Sequence, residues 1–285
     1  MSLILYKDII LNLGIVGLGL MGGSFGKAMR KYNLAEKIFG YDHNLNHQKD
    51  AISLNLVDKI VDIEELKLCD MIVLCIPVDA IISFLPFLEE CASTTTIIDF
   101  GSTKKLIVEN IPLKIKNNFI PAHPMTGTEK FGPNAAIDGL YENKTIVLCD
   151  LDKCDHLHKN RAISIFKKLN MKLVFMDSTE HDVHACYMSH LPHAISFALG
   201  NIVMNHENPN EIISLAAGGF KDMSRIAKSS PDMWTDIFRQ NKDNMLESID
   251  LYEKQITLIK NMIKDEKYDD MKKWMAKANT LHDIL

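Results

Sequence analysis

The sequence predicts an α/β fold in two parts, an N-terminal doubly wound sheet domain over residues 1–176 and an all-α C-terminal domain over residues 177–285. Three observations lead there. Short apolar runs alternate with amphipathic segments up to about residue 176, several runs are apolar at every position as strands buried on both faces of a parallel sheet are, and no convincing strand follows Asp177. A chain of 285 residues has room for about two domains. Its 47% hydrophobic and 24% charged residues fit an ordinary folded protein and exclude disordered, fibrous and membrane-spanning classes.

The strand-like runs fall at residues 13–16, 38–41, 71–76, 96–100, 118–122, 145–149 and 173–176. The first leads into Gly17-Leu18-Gly19-Leu20-Met21-Gly22, a G-x-G-x-x-G pattern followed by a helix over residues 23–31. In that context Gly17 permits the tight turn, Gly19 lets a pyrophosphate approach the backbone, and Gly22 lets the helix pack close to the strand. The N–H groups around Leu20 and Met21 point from a helix start toward the anion. The second strand ends at Asp42, twenty residues after Gly22. There a carboxylate accepts hydrogen bonds from an adenosine ribose and repels a 2′-phosphate. His43, Asn44 and Leu45 follow Asp42 with no Arg or Lys among them, so the domain is Rossmann-like and NAD is favoured over NADP.

Two clusters end later strands, Asp99-Phe100-Gly101-Ser102-Thr103-Lys104 and His123-Pro124-Met125-Thr126-Gly127-Thr128-Glu129. Ligands of open α/β sheets lie at such strand ends. A His there has an unperturbed pKa near the working pH and can take a hydroxyl proton as a hydride leaves. A third cluster, His181, His184, Cys186, His190 and His193, suggests a metal site. At about 100° per residue the first two His and the last two face different ways, short of a large kink at Pro192, so no metal is expected and one or two of these His face the cleft instead. Arg225 is the natural partner of a substrate carboxylate, because its planar fork binds both oxygens. Tyr268 and Lys272 repeat a spacing of another dehydrogenase class, but far from any strand.

In the second part Met245, Ile249, Tyr252, Ile256, Ile259 and Ile263 recur at helical spacing, a heptad-like seam that packs either within its own domain or against a second copy. With 32 Lys plus Arg against 37 Asp plus Glu, and basic residues only in scattered pairs, the chain lacks the footprint of a nucleic-acid binder. Six cysteines without a Cys-x-x-Cys pair, Cys75 and Cys149 within apolar strands, indicate a reducing compartment. Lys7 and Asp8 interrupt the apolar N-terminus before a signal peptide can be drawn, and residues 191–204 are too short to span a bilayer. The default location is cytoplasmic.

GLGLMGGS at 17–24, FGSTK at 100–104, HPMTGTEKFGPNAA at 123–136, SHLPH at 189–193 and GGFKDMSRIAKSSPDMW at 218–234 together resemble the prephenate dehydrogenases, the TyrA family, over nearly the whole chain. The resemblance implies NAD-dependent oxidative decarboxylation of prephenate to 4-hydroxyphenylpyruvate in tyrosine biosynthesis, with arogenate as an alternative substrate. It implies His123 as the catalytic His on the ring hydroxyl and Ser102 as the residue positioning it. His193, Thr128 and Glu129 then line the substrate site, Arg225 binds a carboxylate, and the helical domain pairs into a homodimer. Phe100 and Thr103 depart modestly from the family pattern, and no fused chorismate mutase or regulatory domain is expected within the 285 residues. A catalytically silent NAD-responsive binding protein is a further alternative on this fold. So is a 3-hydroxyacid dehydrogenase, for which Lys221 is the one candidate base.

Overall fold

A computed structural model of the chain describes residues 10–284; the N-terminal stretch holding Lys7 and Asp8 lies outside them. Among the described residues eight strands form one sheet: β1 (Leu11–Val16), β2 (Ala35–Tyr41), β3 (Lys59–Ile60), β4 (Met71–Leu74), β5 (Thr96–Asp99), β6 (Phe119–Pro124), β7 (Thr145–Cys149) and β8 (Lys172–Met176). Their order is β3-β2-β1-β4-β5-β6-β7-β8. The chain therefore builds outward from β1 on one side, then returns to start β4 on the other. The crevice beyond the C-terminal ends of β1 and β4 is the switch point at which such sheets bind ligands.

Side-chain alternation divides the core into two layers. Leu13 and Ile15 of β1, Met71 and Val73 of β4 and Ile98 of β5 pack with Phe25 and Met29 of helix Leu20–Lys31 and with Ile165 and Phe166 of helix His156–Lys168. Val16, Ile72, Leu74 and Ile97 point the other way, toward Ile81 and Phe84 of helix Val78–Phe84. Both faces are covered, which is why β4 is apolar at every position and β5, with Thr96 and Asp99 at its ends, is buried at every position.

Three features depart from the sequence reading. Strand β7 pairs antiparallel with β6 while every other pair is parallel. Residues 125–144 hold only the short turn Pro133–Ala135 and no crossover helix, so the chain doubles back; helix His156–Lys168 then supplies the crossover that makes β8 parallel to β7. Strand β8 is the sheet edge, with Val174 and Phe175 exposed, although its run reads as apolar. The two-residue β3 has too little apolar sequence to be seen.

Beyond Met176 the described residues contain no strand. Helices Ser178–Ala185 and Leu191–Met204 are joined by a single π turn, Cys186–His190, in which Leu191 N–H reaches back to the Cys186 carbonyl. The extra residue in that turn, and not a kink at Pro192, resets which way the flanking His residues face. By packing, the described residues divide into two compact units, one reaching to Asn241 and one starting at Lys242. The second holds helix Lys242–Lys264, which carries the expected seam, and helix Tyr268–Asn279, joined by Trp274 Nε1 donating to Gln255 Oε1 at 2.9 Å. Along the seam Met245 is buried while Ile256 and Ile263 are exposed. Among the described residues no helix is long and apolar enough to cross a membrane.

Candidate active site

The glycine loop shows its backbone requirements directly. Gly17 has φ +90°, and a Cβ there would lie 2.5 Å from the Cys75 carbonyl oxygen. At Gly22 a Cβ would lie 2.0 Å from the Gly17 carbonyl oxygen and 2.8 Å from Ile15 Cγ2, so helix Leu20–Lys31 approaches β1 this closely only with glycine. Gly19, which precedes that helix, differs: its Cβ would meet only Gly132 N at 3.8 Å, leaving open space against the backbone. The Asp42 carboxylate, buried just past β2, accepts from Leu18 N at 2.9 Å and from Asn44 N at 2.8 Å, which ties it to the loop. Open backbone at Gly19, free N–H groups at a helix start and a carboxylate fixed beyond β2 fit a dinucleotide bearing an unphosphorylated ribose.

Next to this loop opens a cleft of about 670 Å³. Gly19, Leu20 and Met21 form one wall; Ser102 and His123 stand at the ends of β5 and β6; Thr128 and Glu129 come from the loop after β6; His193 and Arg225 come from the helical region. The structure thus brings together nine of the residues singled out in the sequence. Gly17, Leu18, Gly22 and Asp42 support the loop and do not line the cleft. Lys221 is exposed on helix Gly218–Ser224 and is not among the lining residues.

His123 belongs to β6 itself, where sequence reasoning ended the strand one residue earlier. Its Nδ1 lies 2.9 Å from His181 Nε2, and His181 Nδ1 lies 2.8 Å from Asp182 Oδ1. The His123 imidazole is held well below its usual pKa mainly by burial, with the nearby cationic Lys104 and the neighbouring His181 and His190 adding to the effect. It is therefore neutral at ordinary pH and able to accept a proton. Beneath it Lys104 and Asp99, both without solvent exposure, form an ion pair, and Lys104 Nζ also donates to the Ala122 carbonyl at 2.8 Å. Asp99 and Lys104 thus brace β5 against β6, and Ser102 alone of that cluster's polar side chains lines the cleft.

His193 stacks on Trp234 with ring centroids 3.6 Å apart, and its Nδ1 bonds the Ser189 carbonyl at 2.8 Å. Burial lowers its pKa, opposed by that hydrogen bond. Arg225 is exposed in the single chain. Sequence reasoning gave no role to Trp234, which lines the cleft at 5% exposure with its Nε1 unpartnered among the described residues. The amphipathic pattern around it, begun by the Ser230 cap and Pro231, was the available signal. Among the described residues no three His, Cys, Asp or Glu side chains converge to hold a metal ion.

A phosphate-ready glycine loop at a sheet switch point, facing a neutral His across one cleft, defines a dinucleotide-dependent oxidoreductase. The family follows from comparison with known proteins. Residues 25–175 match the model of the prephenate dehydrogenase nucleotide-binding domain, and residues 177–277 match that of the prephenate dehydrogenase dimerization domain. A prephenate dehydrogenase of Bacillus subtilis is 32% identical over 98% of this chain and 76% of its own length. A cyclohexadienyl dehydrogenase of Zymomonas mobilis is 27% identical over 96% of this chain and 98% of its own. Among solved structures, prephenate dehydrogenase from Aquifex aeolicus in complex with hydroxyphenyl propionate and NAD+ superposes with a TM-score of 0.89 at 31% identity, covering 96% of this chain and 97% of that one. Synechocystis arogenate dehydrogenase reaches 0.80 at 25% identity, covering 95% and 99%. The chain belongs to the prephenate dehydrogenase family.

Proposed function

We propose that this enzyme oxidises and decarboxylates prephenate to 4-hydroxyphenylpyruvate with NAD. The observation that carries the reading is His123 at the end of β6, lining the same cleft as the glycine loop, with burial holding its imidazole well below the usual pKa. Gly17 to Gly22 and Asp42 hold the cofactor, which when bound supplies the hydride acceptor. His123 takes the ring hydroxyl proton as C4 is oxidised. Ser102 positions that hydroxyl. Loss of the ring carboxylate as carbon dioxide leaves its electron pair to aromatise the ring, and His123 returns the proton to the phenolic oxygen, so no net proton is consumed. Arg225 and His193 hold the carboxylates of the substrate, with Thr128 and Glu129 closing the cleft from the loop after β6. Arogenate is the second reading, supported by similarity to the cyclohexadienyl and Synechocystis arogenate enzymes.

NADH formation measured separately with prephenate and arogenate, with carbon dioxide followed in the same reaction, tests the proposal. NADH matched one for one by carbon dioxide with prephenate is expected; turnover of arogenate alone moves the assignment to the second reading, and turnover of neither refutes both.

The domain boundary near residue 177 is part of the proposal, supported by the end of strand structure at Met176 and by the limits of the two family models. So is a homodimer through the helical region, supported by the dimerization-domain match and by exposed Ile202, Met204 and Leu215. A reducing, cytoplasmic setting suits Cys69 and Cys149, buried thiols whose pKa is pushed up to about 12 by burial.

A further inference from the structure

The proposed role of His123 requires one of its two neutral tautomers. A base facing the cleft through Nε2 must carry its hydrogen on Nδ1, and nothing intrinsic to imidazole enforces that choice. The hydrogen bonds behind His123 do. Asp182 is buried, and its oxygens already accept from two backbone donors, Lys104 N at 2.7 Å on Oδ1 and Lys105 N at 3.0 Å on Oδ2. Neither oxygen can carry a hydrogen toward those donors, so the group is an acceptor on every side. His181 Nδ1, at 2.8 Å from Oδ1, must then be the donor. With His181 in its neutral form, donation through Nδ1 leaves a bare Nε2 toward His123 Nδ1 at 2.9 Å, and that short contact needs one hydrogen. It comes from His123.

We infer that Asp182 and His181 are a positioning pair that locks His123 with its hydrogen on Nδ1 and its lone pair on Nε2. The inference rests on the reading of His123 as the base. Both members are nearly without solvent exposure and neither lines the cleft, so they act through His123 and not on the substrate. Helix Ser178–Ala185 supplies both side chains from consecutive positions, and Asn241 Nδ2 donates to the Asp182 carbonyl at 2.7 Å, fixing that turn. When His123 takes the hydroxyl proton, the positive charge it gains lies two hydrogen bonds from the Asp182 carboxylate. The groups facing this chain from the elements packed on it are Lys104 beside β5, His123 on β6 and His190 in the π turn.

Asp182→Asn tests the inference. Lys104 N and Lys105 N donate to different oxygens of Asp182, so either orientation of the new amide leaves one backbone N–H facing its NH2, and the amide no longer holds His181, and through it His123, in one tautomer. In the protein with 15N-labelled histidine, NMR should report His123 as the Nδ1–H tautomer in the parent and as a mixture of the Nδ1–H and Nε2–H tautomers in Asp182→Asn. The rate constant kcat should fall about 10²–10⁴-fold with KM nearly unchanged, as for other orienting carboxylates, and Asp182→Glu should recover part of it. If Asp182→Asn fails to fold, His181→Leu against His181→Gln replaces it. The Gln oxygen can accept from His123 Nδ1, so kcat should be higher in the Gln variant. An Nε2–H tautomer in the parent enzyme, an unchanged tautomer and kcat in Asp182→Asn, or equal kcat in the two His181 variants overturns the inference. The tautomer is read without substrate, so failure of the parent enzyme to turn over prephenate or arogenate refutes the functional reading separately.

Discussion

Replacing Lys104 by Met isolates the charge pair beneath the candidate site. Lys104 and Asp99 have no solvent exposure, and Asp99 Oδ2 also accepts from Gly101 N at 2.9 Å while Oδ1 has no partner among the described residues. Burial pushes the Asp99 carboxyl up, and Lys104 is the main influence pulling it down. In Lys104→Met the carboxyl keeps its burial and loses its cation, so it takes a proton in the folded state. An unfolded aspartate titrates near about 4, and holding one protonated near neutral pH costs about 4 kcal/mol, which caps the electrostatic loss. Buried pairs broken on one side lose a similar amount, about 3–5 kcal/mol. The pH dependence has a fixed sign. With a folded pKa raised above the unfolded value, the variant is penalised increasingly as pH rises above about 4, and the deficit shrinks as pH falls toward that value. Urea unfolding at neutral and acidic pH measures both, and Lys104→Met/Asp99→Asn should regain most of the loss because a neutral amide needs no proton. A neutral-pH loss below about 1 kcal/mol, or a double variant no more stable than the single, refutes the reasoning.

Gly22→Ala should destabilise by at least about 1–3 kcal/mol and abolish NAD binding, because its Cβ meets the Gly17 backbone at 2.0 Å; thermal melting with and without NAD checks it. Gly19→Ala should leave the melting temperature of the free protein nearly unchanged and weaken NAD binding alone, since its Cβ enters open space. His190, buried with a pKa pushed down to about 4, stays neutral in the fold after its unfolded counterpart has taken a proton near about 6.5. Stability should therefore be lost as pH falls between those values, by up to about 3 kcal/mol from this residue, and His190→Gln should flatten that part of the pH–stability curve. Arg225→Ala should raise KM with kcat little changed if it holds a substrate carboxylate; a fall in kcat alone removes it from substrate binding.

The parts of the fold legible in sequence are those where one residue's environment decides its type. Strand β4 declares itself because burial on both faces demands an apolar side chain at every position, and β5 through its central Ile97 and Ile98. Gly17 and Gly22 declare themselves because a turn at φ +90° and a 2.0 Å backbone approach admit no side chain. The features that escape are set by neighbours. Nothing in the apolar run of β7 says that it runs against β6; the missing crossover helix in residues 125–144 does. Nothing in the run of β8 says that it ends the sheet among the described residues.

The same distinction explains the candidate site. A strand end followed by His-Pro places His123 from sequence, whereas its support comes from a helix whose phase cannot be counted. A wheel of constant step puts His181 and His193 on different faces, but the π turn at Cys186–His190 inserts one residue into the ladder between them and shifts every later side chain by about 100°. His181 then reaches His123 from below while His193 reaches the cleft wall against Trp234. A turn of this kind gives up regular hydrogen bonding in the helix, and its position between the two residues that meet the site indicates what that irregularity secures. Restoring a regular α-helical turn by deleting one residue within 186–190 would leave His181 in place and rotate His193 off Trp234, so substrate binding should fail before the support of His123 does.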